Sequence, residues 1–515
     1  DVQRVYETYI KDRPYVATSF VPKGETELIA ENSMKADVVE ENILEATEVD
    51  QSQFSEEDEQ IVKTETILDR SQVPELGPDP DITLPTIWKN ETANGMEVYG
   101  IRHTELPLVQ YSIVLEGGHL LDALDMTGVA NLVTDVMMEG TANKTPEELE
   151  EEIDMLGASI NMYTGSTDIT LRVNTLARNY QKTLDLVKEI LLEPRWDEEE
   201  FELAKTSVIN SLKRNQANPN YLASTTLNKL IYGPDHIMAY EVSGTVESVE
   251  NITMDDLKAY YENYFSPSMA TFHVVGSITE EDVMESLTGL SEAWESKEVI
   301  FPEYSVPEGP ERSQIVFVDV PGAKQSVINI GYLALARSDE DYFPATVMNY
   351  KLGGSFNGIV NLILREEKGF TYGARTYFSG SLMPGPFVAS SSVRSNATLE
   401  SVQIFKESME EYREGLNDED LEFTKNALIK SNARRFETLG ALLGMLQEIS
   451  EYDLPFDYVK QEEAFIKDLN YENHKELASK YIVPDQMYYV VVGDAETQME
   501  PLKQIGFGDP VLYNE

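Results

Sequence analysis

The chain has 515 residues, 41% hydrophobic and 26% charged, which is enough for several ordinary globular cores and unlike a disordered, collagen-like or coiled-coil polypeptide. Its 40 basic and 92 acidic residues leave a net charge of −52, which repels nucleic acid and anionic lipid without an offsetting basic patch, and no apolar run approaches the ~20 residues of a membrane-spanning helix. The absence of cysteine excludes disulfides, thiolate metal sites and a cysteine nucleophile, and leaves the redox compartment open.

Residues 2–24, VQRVYETYIKDRPYVATSFVPKG, read as a helix, a strand and a closing glycine. The same ending recurs as LKAYYENYFSPSMATFHVVG, closing at Gly276, and as HKELASKYIVPDQMYYVVVG, closing at Gly493. In both, a proline stands nine residues before the glycine, and the two glycines lie 217 residues apart, a repeat of domain size. Residues 1–24 are therefore expected to be the final helix and strand of a preceding copy. Asp1 opens the chain without the basic-then-apolar pattern of a leader, so either a targeting segment has been removed or the chain is a fragment, and the repeat favours a fragment.

Residues 25–94 are expected to form an extended acidic linker. From Gly24 to Gln60 there are 13 acidic residues against one lysine, and the proline-rich PELGPDPDITLP follows. An acidic tail that binds a basic partner is the alternative reading of this composition.

A first domain is expected over residues 95–300. Asn94-Gly95 is a hairpin signal before MEVYGIRH, and LVQYSIVLE alternates as a strand. Val129, Leu132, Val133 and Val136 have helical spacing. Thr145, Pro146 and Glu148 make a capping box for the next helix, which Gly157 can end. SINMYT and TDITLRVNT are strands, and amphipathic helices follow near 178–193 and 197–216. A second domain over residues 310–515 repeats the theme: strand SVINIGYL, helices near 342–367, strands near 372–378 and 386–393, and long helices near 398–415 and 418–435. Helices grouped between runs of strands predict an α+β fold of two homologous domains, each an antiparallel-rich sheet with helices packed on one face.

The run GVANLVTDVMMEGT, then a capped helix, then LGASINMYT, resembles the pitrilysin and mitochondrial processing peptidase family of zinc metallopeptidases, the inverzincins, over nearly the whole chain. The family's helix carries H-x-x-E-H, two histidines on one zinc with a glutamate as general base. Here Asn131 and Asp135 stand in the histidine places, Thr134 in that of the glutamate, and Ser211 near the place of the third ligand. An amide, one carboxylate and an ordinary hydroxyl neither hold zinc nor take a proton from water near neutral pH. The histidines, His103, His119, His236, His273 and His474, include no pair at i,i+3 or i,i+4. His119, near Asp122 and Asp125, is expected as a solvated loop histidine in preference to a rearranged metal site. No phosphate loop or G-x-S-x-G elbow is present, and the glycines of GGSFNG are read as a sharp turn beside the sheet.

LGGSFNGIVNLILREEKGFTYGARTYFSG resembles the family's companion segment, in which an arginine and a tyrosine seven residues apart reach the active site of the opposite half. Arg365 and Tyr372 match that pair; both are hydrogen-bond donors able to hold a peptide carbonyl and its oxyanion. The bland reading makes Arg365 a helix C-terminal cation and Tyr372 ordinary strand packing.

The resemblance thus implies a non-catalytic half, the C-terminal one, of a long bacterial zinc peptidase, with no metal or cofactor of its own and zinc expected in a homologous catalytic half encoded upstream. Together the halves would close a chamber around peptide substrates. The alternative is a degenerate scaffold subunit of a larger envelope complex with no part in proteolysis. An independently active zinc peptidase is a third reading. The acidity suits cationic peptides, solubility or a saline habitat alike. The resemblance implies periplasm or cell envelope, where cysteine-free, acidic members of this family are often found, with cytoplasm as the alternative.

Overall fold

The computed structural model describes residues 2–22, 24–34 and 82–513, in two compact units, 1–73 and 74–515. In the first unit, helix Val2–Tyr9 buries none of its residues, and Tyr15, Val16 and Phe20 are exposed. Residues 14–22 adopt no strand, contrary to the expectation for PYVATSFVP. Most of the expected linker, residues 35–81, lies outside the described residues.

The second unit holds two six-stranded sheets that share a five-stranded topology and differ in the sixth, edge strand, which is antiparallel to its neighbour in the first sheet and parallel in the second. The first consists of β1 (Ile87–Glu91), β2 (Glu97–Arg102), β3 (Leu108–Glu116), β4 (Ser159–Thr164), β5 (Asp168–Leu176) and β6 (Ala270–Gly276), in the order β1-β2-β6-β3-β5-β4. The second consists of β7 (Gln314–Asp319), β8 (Gln325–Leu335), β9 (Thr371–Phe378), β10 (Gly385–Arg394), β11 (Tyr488–Gly493) and β12 (Val511–Leu512), in the order β12-β7-β11-β8-β10-β9. In each, the strand that closes the sequence repeat is central: β6 runs parallel to β2 and antiparallel to β3, as β11 does to β7 and β8. The repeat in the sequence is therefore a repeat of whole domains.

β1 falls inside the span expected to be linker, so the first sheet begins before residue 95. Its hairpin partner explains why: Trp88 pairs with Gly100, where a Cβ would lie 2.0 Å from the indole, so the glycine leaves the room that the ring fills. The span expected as helix near 342–367 is interrupted. Helix Tyr342–Asn349 passes into π-helical turns at Tyr350–Gly354 and Leu362–Glu367, separated by the bend at Ser355–Gly358.

Alternation along the strands divides the side chains between two layers. Val109, Tyr111, Ile113 and Leu115 of β3 join the first core, which includes helices Val129–Met137 and Tyr180–Leu192. The other face of that sheet is covered by helix Leu439–Glu451, from the second half of the chain, whose Leu442, Leu443 and Leu446 meet Tyr99, Ile101 and Val275. Reciprocally, helix Pro219–Tyr232 lays Ala223, Leu227 and Ile231 on Val316, Val327, Val388 and Val490 of the second sheet. Each domain thus covers its own sheet on one face and lends one helix to the other's second face. Burying each leucine contributes about 1.5–3 kcal/mol, so the exchange binds the two halves firmly.

Candidate functional site

Helix Val129–Met137 starts from Gly128, whose φ of 100° is open to glycine at little cost. Asp122 holds that start: its carboxylate accepts from the backbone N–H of Gly128 and of Ala130, both at 2.9 Å, favourable at the positive end of the helix dipole. His119 is not solvated. It is 1% exposed, with Nδ1 2.9 Å from Asp122 Oδ2 and Nε2 3.2 Å from the Ile237 carbonyl, so it secures the helix start from behind. The short 3₁₀ turn Gly118–Leu121, not evident in the sequence, carries it inward.

On that helix Asn131 Nδ2 donates to Asp135 Oδ2 at 3.0 Å. Thr134 is 1% exposed; its hydroxyl donates to the Asn131 carbonyl at 2.9 Å and lies 3.1 Å from Thr164 Oγ1. Asp135 opens into a groove of about 610 Å3 shared with Glu139, Asn161, Glu200 and Ser207. Although solvent reaches its carboxyl, desolvation by the groove walls dominates and pushes it up to about 6, against the Asn131 hydrogen bond and with help from Glu139. Ser211 sits one turn beyond Ser207 on helix Glu198–Asn215, and its hydroxyl accepts from Arg214 at 2.7 Å.

These residues do not fit a catalytic zinc, which takes three protein ligands and a water. The Asn131 amide turns its N–H toward Asp135, the Thr134 hydroxyl is spent on a carbonyl, and one carboxylate remains. Among the described residues, no group of three His, Cys, Asp or Glu is placed to hold a metal ion.

Arg365 and Tyr372 both stand on irregular backbone. Arg365 lies in the π-helical turn Leu362–Glu367; its guanidinium pairs with Glu366 at 2.7 Å and sits 4.6 Å from the centroid of the Phe356 ring. Tyr372 belongs to β9, the edge strand, where Ala374, Thr376 and Phe378 face inward. Two-residue alternation would turn Tyr372 inward too. Instead the register on β10 shifts, from Ser391 opposite Ala374 to Val393 opposite Thr371, and the extra residue in β9 swings Tyr372 out to 93% exposure. Thr371 Oγ1 and Ser391 Oγ both donate to the Gly373 carbonyl, at 2.9 Å each, and hold this bulge. Tyr372 is therefore not ordinary strand packing. The π turn and the bulge have no clear mark in the sequence beyond the glycines Gly369 and Gly373.

With this geometry in view, comparisons with known proteins agree. The family model described as Insulinase (Peptidase family M16) matches residues 101–237, and the one described as Peptidase M16 inactive domain matches residues 251–428. The chain belongs to peptidase family M16, the family of the pitrilysins. It is 21% identical over 336 residues to the uncharacterized zinc protease YmxG of Bacillus subtilis, a match spanning 65% of this chain and 81% of the relative. It is also 21% identical over 357 residues to the non-peptidase homolog YmxG of Helicobacter pylori, spanning 68% and 81%. The crystal structure of a peptidase M16 inactive domain from Pseudomonas fluorescens superposes with a TM-score of 0.74 at 24% identity, covering 79% of this chain and 98% of that one. That likeness bears on the fold, and it bears out the α+β architecture of paired domains.

Proposed function

We propose that this chain is the non-catalytic half of a two-part M16 zinc peptidase. Its partner is a homologous half with an intact H-x-x-E-H helix, which holds the zinc and the general base. This half supplies one wall of a closed chamber and presents Arg365 and Tyr372 to the peptide held there. One observation carries the reading: the bulge at Tyr372 turns a phenol out of the sheet, where the fold draws no packing from it. A guanidinium and a phenol, both donors, suit a peptide carbonyl and the oxyanion that forms from it.

The first unit supports a homologous partner. Residues 2–24 share the pattern of the segments ending at Gly276 and Gly493, each of which supplies a central strand flanked on both sides. Residues 14–22 have the apolar content of such a strand, with Tyr15, Val16 and Phe20 exposed. In the assembly we propose that they pair within the partner's sheet.

Peptide hydrolysis by the catalytic half, with and without this chain, tests the proposal. Turnover that requires both is expected. Full turnover by the catalytic half alone favours a scaffold role instead, the reading that the description of the Helicobacter pylori relative as a non-peptidase homolog speaks for. We also propose, on the family resemblance, a periplasmic or envelope location in a bacterium; recovery of the protein with the cytoplasmic fraction would contradict it.

A further inference from the structure

The second domain contains a cavity that the proposed peptidase role does not use. It measures about 440 Å3, within the ~300–1,000 Å3 of small-ligand sites. Helix Tyr342–Asn349 with its π-helical turn, strand β9, helix Asp418–Ser431 and helix Tyr458–Asp468 enclose it. Phe343, Tyr350, Phe378, Leu428 and Ile466 form an apolar wall. Gly353 lets the turn close onto β9, since a Cβ there would lie 2.6 Å from the Thr376 backbone nitrogen.

The charged groups that line this cavity are of one sign. The chain has 92 acidic residues among 515, yet no lining residue is acidic and two are arginines. Arg435 is committed to Glu462 at 2.6 Å. Arg375 has no carboxylate partner among the described residues; its guanidinium lies 5.3 Å from the centroid of the Tyr377 ring. Independently, Asn432 is 6% exposed, and its Nδ2 is buried without a hydrogen-bond partner among the described residues. A buried amide donor left unpaired is destabilising unless something accepts from it, and native folds leave few such groups. An uncommitted cation and an unsatisfied donor line one apolar-walled cavity from which carboxylates are missing.

We infer that this cavity binds a carboxylate carried on an apolar or aromatic body. The carboxylate accepts from Asn432 Nδ2 and from the Arg375 guanidinium, whose planar fork suits it, and the body lies against Phe343, Tyr350 and Ile466. Two sources share this chemistry: a free small organic acid and the C-terminal residue of a peptide. The inference does not rest on the pairing proposed above, because the cavity belongs to this chain alone.

Calorimetric titration of the full chain separates the possibilities. The probes are N-acetyl-phenylalanine, its amide, and a pentapeptide ending in phenylalanine as free acid and as amide. Binding of a free acid is expected, with its amide weaker by about tenfold or more, the effect of losing a charge-assisted pair. Preference for N-acetyl-phenylalanine identifies a small acid as ligand, and preference for the peptide acid identifies a chain terminus. R375Q, at an exposed position, and N432L should each weaken the acid by about tenfold or more while the melting temperature of R375Q stays unchanged. Acids that fail to bind at about 10 mM, amides that bind as well as acids, or R375Q that binds like the parent chain would each overturn the inference.

Discussion

His273 Nε2 lies 2.6 Å from Ser450 Oγ, and this contact joins the central strand of the first sheet to a helix lent by the second domain. Ser450 already donates to the Gln447 carbonyl, so its oxygen accepts from the histidine; Nδ1, 3.3 Å from Ser112 Oγ, accepts in turn. The joint between the domains is thus polar at its centre and apolar around it. Ser450→Ala leaves a buried ring N–H unpaired and should cost about 1–3 kcal/mol. Leu443→Ala, in the apolar surround, should cost about 2–5 kcal/mol. Urea unfolding checks both, and a shift of less than half a kilocalorie for Leu443→Ala would show that the lent helix does not hold the domains.

The same histidine sets an acid limit. Desolvation pushes His273 down to about 3 and His474 down to about 4. Both rings stay neutral in the fold while the unfolded chain takes up protons near pH 6.5. Their contribution to stability is therefore complete above pH 6.5 and is lost as the pH falls, by about 1.4 kcal/mol per pH unit for each histidine until the folded value is reached. Carboxyls raised by burial, among them Glu116, Asp168 and Glu451, act in the opposite sense. His273→Gln isolates the one term: unfolding measured at pH 7, 5.5 and 4.5 should fall off less steeply than in the parent chain. Parallel profiles would assign the acid limit elsewhere.

Asp135 carries the reverse dependence. With its carboxyl pushed up to about 6 against an unfolded value near 3.8, the folded state is favoured fully below pH ~4 and loses that advantage as the pH rises through 6. Asp135→Asn keeps an oxygen for the Asn131 amide and removes the charge. It should stabilise the chain at pH 7.5 by less than about 1 kcal/mol, since solvent screens the group, and leave stability at pH 4 unchanged. Melting curves at the two pH values give the comparison; equal shifts at both would mean that the charge is not what the groove opposes.

How far the sequence discloses this molecule follows from which forces are local. Strands such as LVQYSIVLE declare themselves by alternation, the capping box at Thr145 by its own side chains, and the repeat by the endings at Gly276 and Gly493. The destination of helix Leu439–Glu451 is not local, because an apolar face packs as well on its own sheet as on its neighbour's, and only the assembled fold shows that it crosses. His119 misleads for a similar reason: beside glycines and aspartates it looks solvated, but Ile237, 118 residues away, closes over it. At the candidate site, the residue types at 131, 134, 135, 365 and 372 are legible in the sequence. Their setting is not, since a bulge depends on the register between β9 and β10 and leaves little compositional trace.

That setting makes the last prediction discriminating. Tyr372 is 93% exposed and Arg365 lies at the surface beside Glu366, so Tyr372→Phe and Arg365→Lys should change stability by no more than about 0.5 kcal/mol. In the proposed two-part enzyme Tyr372→Phe removes a donor from the reacting carbonyl, and Arg365→Lys replaces the planar guanidinium fork with a differently placed ammonium. Loss of one such donor lowers turnover by about 10²–10³-fold when it stabilises an oxyanion, with the effect in kcat more than in KM. Assembly with the catalytic half, followed by size-exclusion chromatography, should be unaltered, because neither substitution disturbs the sheets or the lent helices. Peptide turnover by the assembled pair is the deciding measurement. A large fall with intact assembly ties both residues to the chemistry of the partner's site, and unchanged turnover with intact assembly would leave the chain as a wall of the chamber without a part in the reaction.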